Sequence, residues 1–254
     1  PTNRFLLLQE LAGGRRRQAQ TSEPVRCKMS QVPHFCRLRC PECFTSFPAE
    51  IIRSTGSGGF LESDLCYRAG NIFVYPFLVV VCPGCRFAAW VNEFDYLAEF
   101  PQYSEYHPIR RALGEFLREQ RRLYPGSERY RLAAETAMRK GVSELKLAHL
   151  YLRGAWCARE EKNREAESYH QEEAVRHFRK ALSEGLYGMD AAVACYLVGE
   201  LCRRLGRFTE ALAAFAGVKE SALPDWLRPG FAAMRERARL KDDTPQVLPR
   251  NLSE

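Results

Sequence analysis

Residues 40–43 read CPEC and residues 82–85 read CPGC, and this pair of C-P-x-C motifs decides the fold of the first part of the chain. Two residues between thiolates form a tight turn that aims both sulfurs at one ion, and the proline fixes φ in that turn. Two such turns supply four sulfur ligands, enough for a tetrahedral zinc site with no open position for catalysis. The predicted ligands of a structural Zn²⁺ are Cys40, Cys43, Cys82 and Cys85.

The distribution of cysteines bears on whether the motifs bind metal or form disulfides. The chain has ten cysteines in 254 residues, and seven of them lie in the first 85. A disulfide scaffold is normally a short secreted chain with cysteines throughout, and no secretion signal is recognisable here. We therefore expect a reducing, cytoplasmic location and metal ligands, with free or disulfide-bonded cysteines as the alternative. An iron–sulfur cluster or a redox C-x-x-C is ranked lower, because the ferredoxin spacing and the βαβ context are missing.

Other residues near the motifs are candidates for supporting roles. The candidates for an additional metal ligand are His34, Cys36 and Cys66. Their spacing follows no ligand pattern, so packed or surface thiols are the favoured alternative for the two cysteines, and Cys27 has no assignment. Zinc with four thiolates carries a net charge of about −2. The arginines that flank the motifs and would offset this charge are Arg37, Arg39 and Arg86.

The chain divides into four parts by composition and hydropathy. We predict a poorly ordered lead-in over residues 1–35, a zinc-ribbon-like module over 36–100, a helical domain over 105–241 and a frayed tail over 242–254. Within the module, residues 73–81 are rich in β-branched and aromatic residues and are predicted to form a strand that leads into the second motif. No apolar run approaches the roughly 18 residues of a membrane helix, so no membrane span is expected.

From Pro108 onward, apolar residues recur at helical spacing. Proline, glycine and serine mark the predicted helix ends, with Ser127 and Ser143 as N-caps. The helices are expected at residues 108–124, 127–141, 143–159, 164–184, 191–205, 208–219 and 229–241.

The succession of helical hairpins is similar to tetratricopeptide repeats, in which small residues mark close helix crossings. Gly199, Ala211 and Phe215 keep the order and spacing of such a repeat. The A-x3-F part recurs 37 residues earlier at Ala174 and Phe178, against a usual offset of about 34. The predicted fold class is α+β, mostly α: a small zinc-ribbon-like β module followed by an α-helical, tetratricopeptide-like hairpin array.

The motifs together resemble the domain of unknown function 2225 family, an uncharacterised bacterial family. The shared elements are the first C-P-x-C, a D-x-C segment, a second C-P-x-C followed by an aromatic residue and two alanines, and an L-R-x-A-W signature. In this chain they are residues 40–43, 64–66, 82–89 and 152–156. The resemblance spans most of the chain and implies a metal-binding module joined to tetratricopeptide-like helices in the bacterial cytoplasm. It implies no reaction.

The chain departs from the family pattern directly after each motif. The family has a glycine after each motif, whereas here Phe44 and Arg86 follow the two motifs. A left-handed turn at these positions favours glycine. We therefore expect strain in both turns, with a lower zinc affinity if either residue prevents the turn.

The leading hypothesis for function is a non-enzymatic zinc-binding protein that acts as a protein–protein interaction or scaffolding module. Stacked helical hairpins form a concave groove for a partner, and the zinc module stiffens the N-terminal end. Arginines on the first predicted helix would favour an acidic partner surface, although a solvated basic face explains them equally well. The candidate partner-binding residues are Arg110, Arg111, Arg118, Arg121 and Arg122.

Nucleic-acid binding and enzymatic activity are the two other classes of function on which the sequence bears. Nucleic-acid binding is the alternative, because zinc ribbons often serve it and the net charge is +7, although that charge is modest for the length. An enzyme is disfavoured, because His149, His170 and His177 form no recognisable pair with a cysteine or carboxylate, and no Gly-rich phosphate loop precedes a helix. No small-molecule substrate follows from the sequence.

Overall fold

The fold is taken from a computed structural model of the chain that describes residues 34–52, 59–69, 73–99 and 108–248. The expected lead-in up to residue 33, Cys27 within it, and the tail from residue 249 lie outside the described residues. The fold class is confirmed: small β-sheets lie in the N-terminal part and α-helices form the rest.

The N-terminal part is built from short antiparallel strands. The strands are β1 His34–Arg39, β2 Ser46–Ile51, β3 Gly59–Leu61, β4 Tyr67–Ala69, β5 Val79–Val81, β6 Ala88–Trp90 and β7 Asp95–Glu99. They pair in the orders β2-β1-β7, β3-β4 and β5-β6. Each C-P-x-C motif therefore lies in the loop of a β-hairpin: residues 40–45 connect β1 to β2, and residues 82–87 connect β5 to β6.

The strand predicted over residues 73–81 is wrong for most of its length. Residues Tyr75–Phe77 form a 3₁₀ turn with Pro76 inside it, and the strand covers only Val79–Val81. Proline fixes its own φ and has no N–H to donate to a strand ladder, so it ends the extended conformation. The strand is buried and the turn is partly buried, so the apolar residues of this stretch do not by themselves indicate a strand.

The C-terminal part contains seven helices within the described residues. They are α1 Pro108–Leu123, α2 Gly126–Arg139, α3 Glu144–Glu160, α4 Arg164–Ser183, α5 Gly188–Arg204, α6 Phe208–Ala216 and α7 Arg228–Arg239. Each lies within a few residues of its predicted range. The N-cap predicted at Ser127 is wrong, since Ser127 lies inside α2 and donates both its N–H and its hydroxyl to the Glu161 carboxylate.

Glycines permit close crossing within two helical hairpins. A Cβ on Gly199 of α5 would lie 2.5 Å from the Phe215 ring of α6, and one on Gly154 of α3 would lie 2.4 Å from the His170 ring of α4. The residue equivalent to Phe215 is therefore His170, and the equivalence with Phe178 predicted from the 37-residue offset is wrong. Phe178 packs edge-on against His149 instead, with ring centroids 5.3 Å apart.

Strand β5 is buried on both faces and separates two hydrophobic clusters. Val80 points into a small cluster that includes Leu38 and Phe47 of the first hairpin. Val79 and Val81 point the other way, into the main cluster formed with the helices, as the alternation of side chains along a strand requires. The predicted sequence division near residue 100 therefore does not coincide with a division of the hydrophobic core.

The frayed tail expected from Asp242 onward is wrong as far as Leu248. Leu248 is 5% exposed, and its backbone N–H donates to the carbonyl of Leu61 at 2.8 Å. Val247 forms an antiparallel bridge with Glu62. A buried leucine and main-chain hydrogen bonds hold this segment against β3, and a pattern of polar residues around one leucine does not reveal that in the sequence.

Candidate metal centre

The two C-P-x-C loops have the same backbone construction. In the first, the Cys40 N–H donates to Thr45 O at 3.0 Å and the Phe44 N–H donates to Cys40 O at 3.0 Å. In the second, the Cys82 N–H donates to the carbonyl of residue 87 at 2.8 Å, and the N–H of residue 86 donates to Cys82 O at 2.9 Å. These paired bonds close each loop so that both of its sulfurs face the other loop.

The four cysteines of the two loops come together as predicted. Their sulfur atoms all lie within 4.8 Å of one another, with Cys40 Sγ 3.6 Å from Cys85 Sγ and Cys43 Sγ 3.5 Å from Cys82 Sγ. Zn–S bonds of about 2.3 Å in a tetrahedron put sulfurs about 3.8 Å apart. The spacing therefore fits a single tetrahedral metal ion bound by four thiolates.

Backbone amides and one hydroxyl stabilise the sulfurs as thiolates. The Thr45 hydroxyl lies 3.2 Å from Cys43 Sγ, and together with the Thr45 N–H it lowers the pKa of Cys43 to about 6. The N–H groups of Gly84 and Cys85 bond to Cys82 Sγ. Hydrogen bonds of this kind orient metal ligands and support their charge.

Burial acts in the opposite direction on the second loop. It raises the pKa of Cys82, and the pKa of Cys85 rises to about 12 through partial desolvation of its sulfur together with hydrogen bonds to the other three sulfurs. Cys82 is fully buried and Cys85 is exposed. Because ligands must lose their protons, a metal ion bound here would release protons to solvent and would bind more weakly as the pH falls.

Gly84 is required for close approach of the two loops. Its φ is not in the left-handed region, so the loop does not depend on the wider backbone freedom of glycine at this position. A Cβ at this position would lie 2.8 Å from Thr45 Oγ1 and 3.6 Å from Cys43 Sγ. The second loop therefore packs directly on the residue that stabilises the Cys43 thiolate.

The residue after each motif adopts the left-handed conformation that was expected to be strained. Phe44 has φ 60° and Arg86 has φ 61°. A left-handed non-glycine residue costs roughly 1–2 kcal/mol, and Phe44 recovers little of this by burial because it is 70% exposed.

Replacing Phe44 with glycine is expected to stabilise the metal-loaded protein by about 1 kcal/mol relative to replacing it with alanine. Both substitutions remove the aromatic ring, and only glycine relieves the left-handed strain. Chemical denaturation of the two variants measures the difference. Equal free energies of unfolding for the two variants would contradict the prediction.

The candidates for an additional metal ligand lie outside the four-cysteine group. His34 and Cys36 are on β1, with Cys36 buried in the small hydrophobic cluster. Cys66 is buried against the helices in the main cluster. Among the described residues, the four loop cysteines are the one group of three or more side chains whose ligand atoms lie close enough together to bind a metal ion.

Two of the three arginines that flank the motifs contact carboxylates. Arg39 forms an ion pair with Asp95 across the sheet at 2.9 Å, and Arg86 lies 4.0 Å from Glu128. Lys140 of α2, which the sequence did not single out, has its ammonium 4.5 Å from the centre of the Phe87 ring. A helix therefore also places a cation against the second loop.

The arginines of α1 are largely paired within the protein. Arg111 lies 3.3 Å from Glu115, Arg122 lies 2.7 Å from Glu119, and Arg121 lies 3.7 Å from Glu50 of β2. Arg118 is exposed, and the side chain of Arg110 lies outside the described residues. Their role in partner binding stays a prediction.

Sequence reasoning missed a buried ionic cluster around the D-x-C segment. Asp64 is fully buried, with one carboxylate oxygen 2.8 Å from Arg159 of α3 and 3.0 Å from Arg204 of α5. Arg159 also contacts Glu62 at 2.7 Å, and Arg204 contacts Glu200 at 2.8 Å. We call these five residues the Asp64 cluster; it ties the β3–β4 turn to two helices.

Electrostatics within the Asp64 cluster favour the charged carboxylate. Burial by itself raises the pKa of Asp64, but Arg204 and Arg159 outweigh burial and hold the pKa below its ordinary value. Leu65, the middle residue of D-x-C, has φ 66°, and the Cys66 N–H donates to Asp64 at 3.3 Å. A tight turn therefore presents the aspartate to the helices.

Comparison with known proteins gives one match. A family model described as an uncharacterized protein conserved in bacteria (DUF2225) covers residues 36–225. No curated protein and no solved structure matches the chain. In the parts of the chain described above, no helix has both the length and the apolar character that crossing a membrane requires.

Proposed function

The chain belongs to the DUF2225 family of uncharacterised bacterial proteins, and we propose that it is a non-enzymatic zinc protein that serves as an interaction or scaffolding module. The observation that carries this proposal is the four-thiolate group. Four protein ligands complete a tetrahedral zinc site and leave no position for a substrate or a reactive water. Thiolate ligands also need a reducing compartment, and we propose the cytoplasm.

The histidines of the helical part support a non-catalytic role. Burial lowers the pKa of His149 to about 3 and that of His170 to about 4, so both are neutral at physiological pH. His149 packs on Phe178, and the His170 ring fills the space left by Gly154. His177 stacks on Tyr151 with ring centroids 5.3 Å apart. His149 and His170 therefore serve as packing groups between α3 and α4. His177 also pairs with a carboxylate, its Nδ1 lying 2.5 Å from Glu144 Oε2, so the expectation that His177 has no carboxylate partner is wrong.

The proposed partner is another protein with an acidic surface. The helical hairpins are similar to tetratricopeptide hairpins in their close glycine crossings, and such arrays bind partners along one face. Part of that face is covered here, because the Tyr196 hydroxyl of α5 donates to Ser63 O at 2.7 Å and Ser63 in turn donates to Glu200 at 2.6 Å. Helix α1 is the candidate surface for an acidic partner, since its five arginines outnumber its two glutamates.

Charge reversal on α1 tests the proposed partner surface. The full chain, loaded with zinc, is used to capture bacterial proteins at low and high salt. We expect acidic proteins that are captured by the wild type to be lost in the double variant Arg118→Glu/Arg122→Glu. The matched control is Arg235→Glu/Arg239→Glu on α7, which changes the net charge equally. Capture of the same proteins by both double variants would count against α1 as the docking surface.

Nucleic-acid binding is the second candidate, favoured by the side chains that the two loops expose. Phe44 is 70% exposed and the Arg86 side chain is 60% exposed, one after each C-P-x-C motif. An aromatic ring and a guanidinium stack on bases in single-strand binding sites. Binding to a single-stranded oligonucleotide that weakens steeply with salt and is lost in Phe44→Ala would favour this candidate over protein interaction.

A further inference from the structure

The segment after α7 returns to the C-terminal end of β3 and pairs there through residues 246–248. We call residues 242–248 the C-terminal strap. The Ser63 N–H donates to Gln246 O at 2.8 Å, and the Leu248 N–H donates to Leu61 O at 2.8 Å. Val247 lies opposite Glu62 in an antiparallel bridge. The strap therefore adds to the edge of β3 in the way that an extended peptide adds to an exposed strand.

A buried arginine holds the other end of the strap through its main chain. The Arg203 side chain of α5 is fully buried and paired with Glu200 at 2.8 Å. It donates to the carbonyl of Asp242, and to the carbonyl of Thr244 at 3.0 Å. A guanidinium presents several donors in a fixed fork. Because Arg203 donates to main-chain carbonyls, these hydrogen bonds depend on the position of the main chain and not on the identity of the side chains.

One strap side chain is an anchor. Leu248 is 5% exposed, whereas Val247 beside it is 56% exposed. The pocket for Leu248 depends on Gly230 of α7, since a Cβ on that residue would lie 2.4 Å from Leu248 Cδ2. Main-chain hydrogen bonds with a single apolar anchor are the contacts of a peptide-binding groove, in which backbone bonds give affinity and a pocket gives specificity.

We propose that the groove between β3, α5 and α7 is a peptide-binding site that the chain occupies with its own strap. Its ligand from a partner is an extended segment with an aliphatic residue four positions after the second of the two carbonyls that Arg203 binds. The family match ends at residue 225, so Ser63 and Arg203 lie inside the matched region, whereas α7 with Gly230 and the strap lie beyond it. This inference rests on the proposed role as an interaction module and names a second surface for it.

The test uses the full zinc-loaded chain and a fluorescent peptide of residues 241–252 as the probe. In the variant Leu248→Asp the strap loses its anchor, and we expect the peptide to bind this variant at least ~10-fold more tightly than the wild type, whose tethered strap competes at high effective concentration. Val247→Asp is the matched control, because it introduces the same charge at an exposed neighbour, and it should bind the peptide as weakly as the wild type. The same peptide carrying Leu248→Asp should not bind.

Two results would overturn the proposal. One is equally weak binding of the peptide to the wild type and to a folded Leu248→Asp chain. The other is unfolding of both Leu248→Asp and the milder Leu248→Ala, which would make the strap a part of the fold and not a displaceable ligand. Capture of acidic proteins through α1 does not depend on either result, so failure here is distinguishable from failure of the interaction role.

Discussion

Replacing Cys40 with alanine removes the metal and unfolds the two C-P-x-C hairpins, and this is the largest effect that we expect. Cys40 is fully buried in the small hydrophobic cluster with Leu38 and Phe47. That cluster is too small to hold the hairpins alone. Structural zinc sites contribute on the order of 10 kcal/mol to folding, so three remaining ligands should not maintain either the metal or the hairpins.

Metal analysis and hydrogen exchange measure the two parts of this prediction. We expect about one zinc ion per wild-type chain, purified without added metal, and close to none in Cys40→Ala. Amides of β1, β2, β5 and β6 should lose their protection in the variant, whereas amides of α4 and α5 should keep it. The helices retain protection because helical residues form most of the main cluster.

Cys36→Ala is the matched control for this experiment. Cys36 is 1% exposed and belongs to the same small cluster as Cys40, so its substitution removes a similar buried volume. Its sulfur lies outside the four-cysteine group. A Cys36→Ala chain should keep its zinc. Retention of one metal per chain in Cys40→Ala, or its loss in Cys36→Ala, would show that the assigned ligands are wrong.

The parts of the structure that the sequence predicted are those set by short-range signals. Two residues between cysteines are enough to place their sulfurs together, so the ligand residues followed from the spacing alone. Proline, glycine and the helical period placed the ends of α3 and α4 within a few residues. Phe44 and Arg86 adopt the left-handed turns expected of them because the loops impose the conformation whichever residue is present.

The parts that were missed depend on residues far apart in the chain. Asp64 meets Arg159 and Arg204, which lie on two helices of the second half, and no local period connects these positions. Arg203 was assigned no role, because its partners are main-chain carbonyls that exist at every residue. The strap was predicted to fray because a single leucine among polar residues has no amphipathic pattern.

Replacing Asp64 with asparagine is expected to cause the second large loss of stability. Asparagine has nearly the same shape but no charge, so Arg159 and Arg204 would lose the buried carboxylate that both contact. Breaking a buried ion pair by removing one partner costs about 3–5 kcal/mol. Glu62 and Glu200 remain to compensate in part, so we expect a loss of about 3 kcal/mol in the free energy of unfolding, measured by chemical denaturation at pH 7.

Acid titration separates the charge of Asp64 from its shape. The arginines hold the folded-state pKa of Asp64 below its ordinary value, and the pKa of an aspartate in an unfolded chain is about 3.9. Stability that comes from this carboxylate is therefore fully present above about pH 4 and is lost as the pH falls through the folded-state pKa. The difference between the wild type and Asp64→Asn should be constant near neutral pH and should shrink below about pH 4.

The exposed ion pair between Glu236 and Arg239 supplies the matched control. Its side chains are more than half exposed and lie 3.0 Å apart, and exposed pairs contribute roughly 0–1 kcal/mol. Glu236→Gln should therefore change the free energy of unfolding by less than about 1 kcal/mol. If Asp64→Asn costs no more than this control at pH 7, the carboxylate charge does not hold the β3–β4 turn on the helices. A difference that persists unchanged at low pH would assign the loss to packing, because protonated aspartate and asparagine carry the same charge.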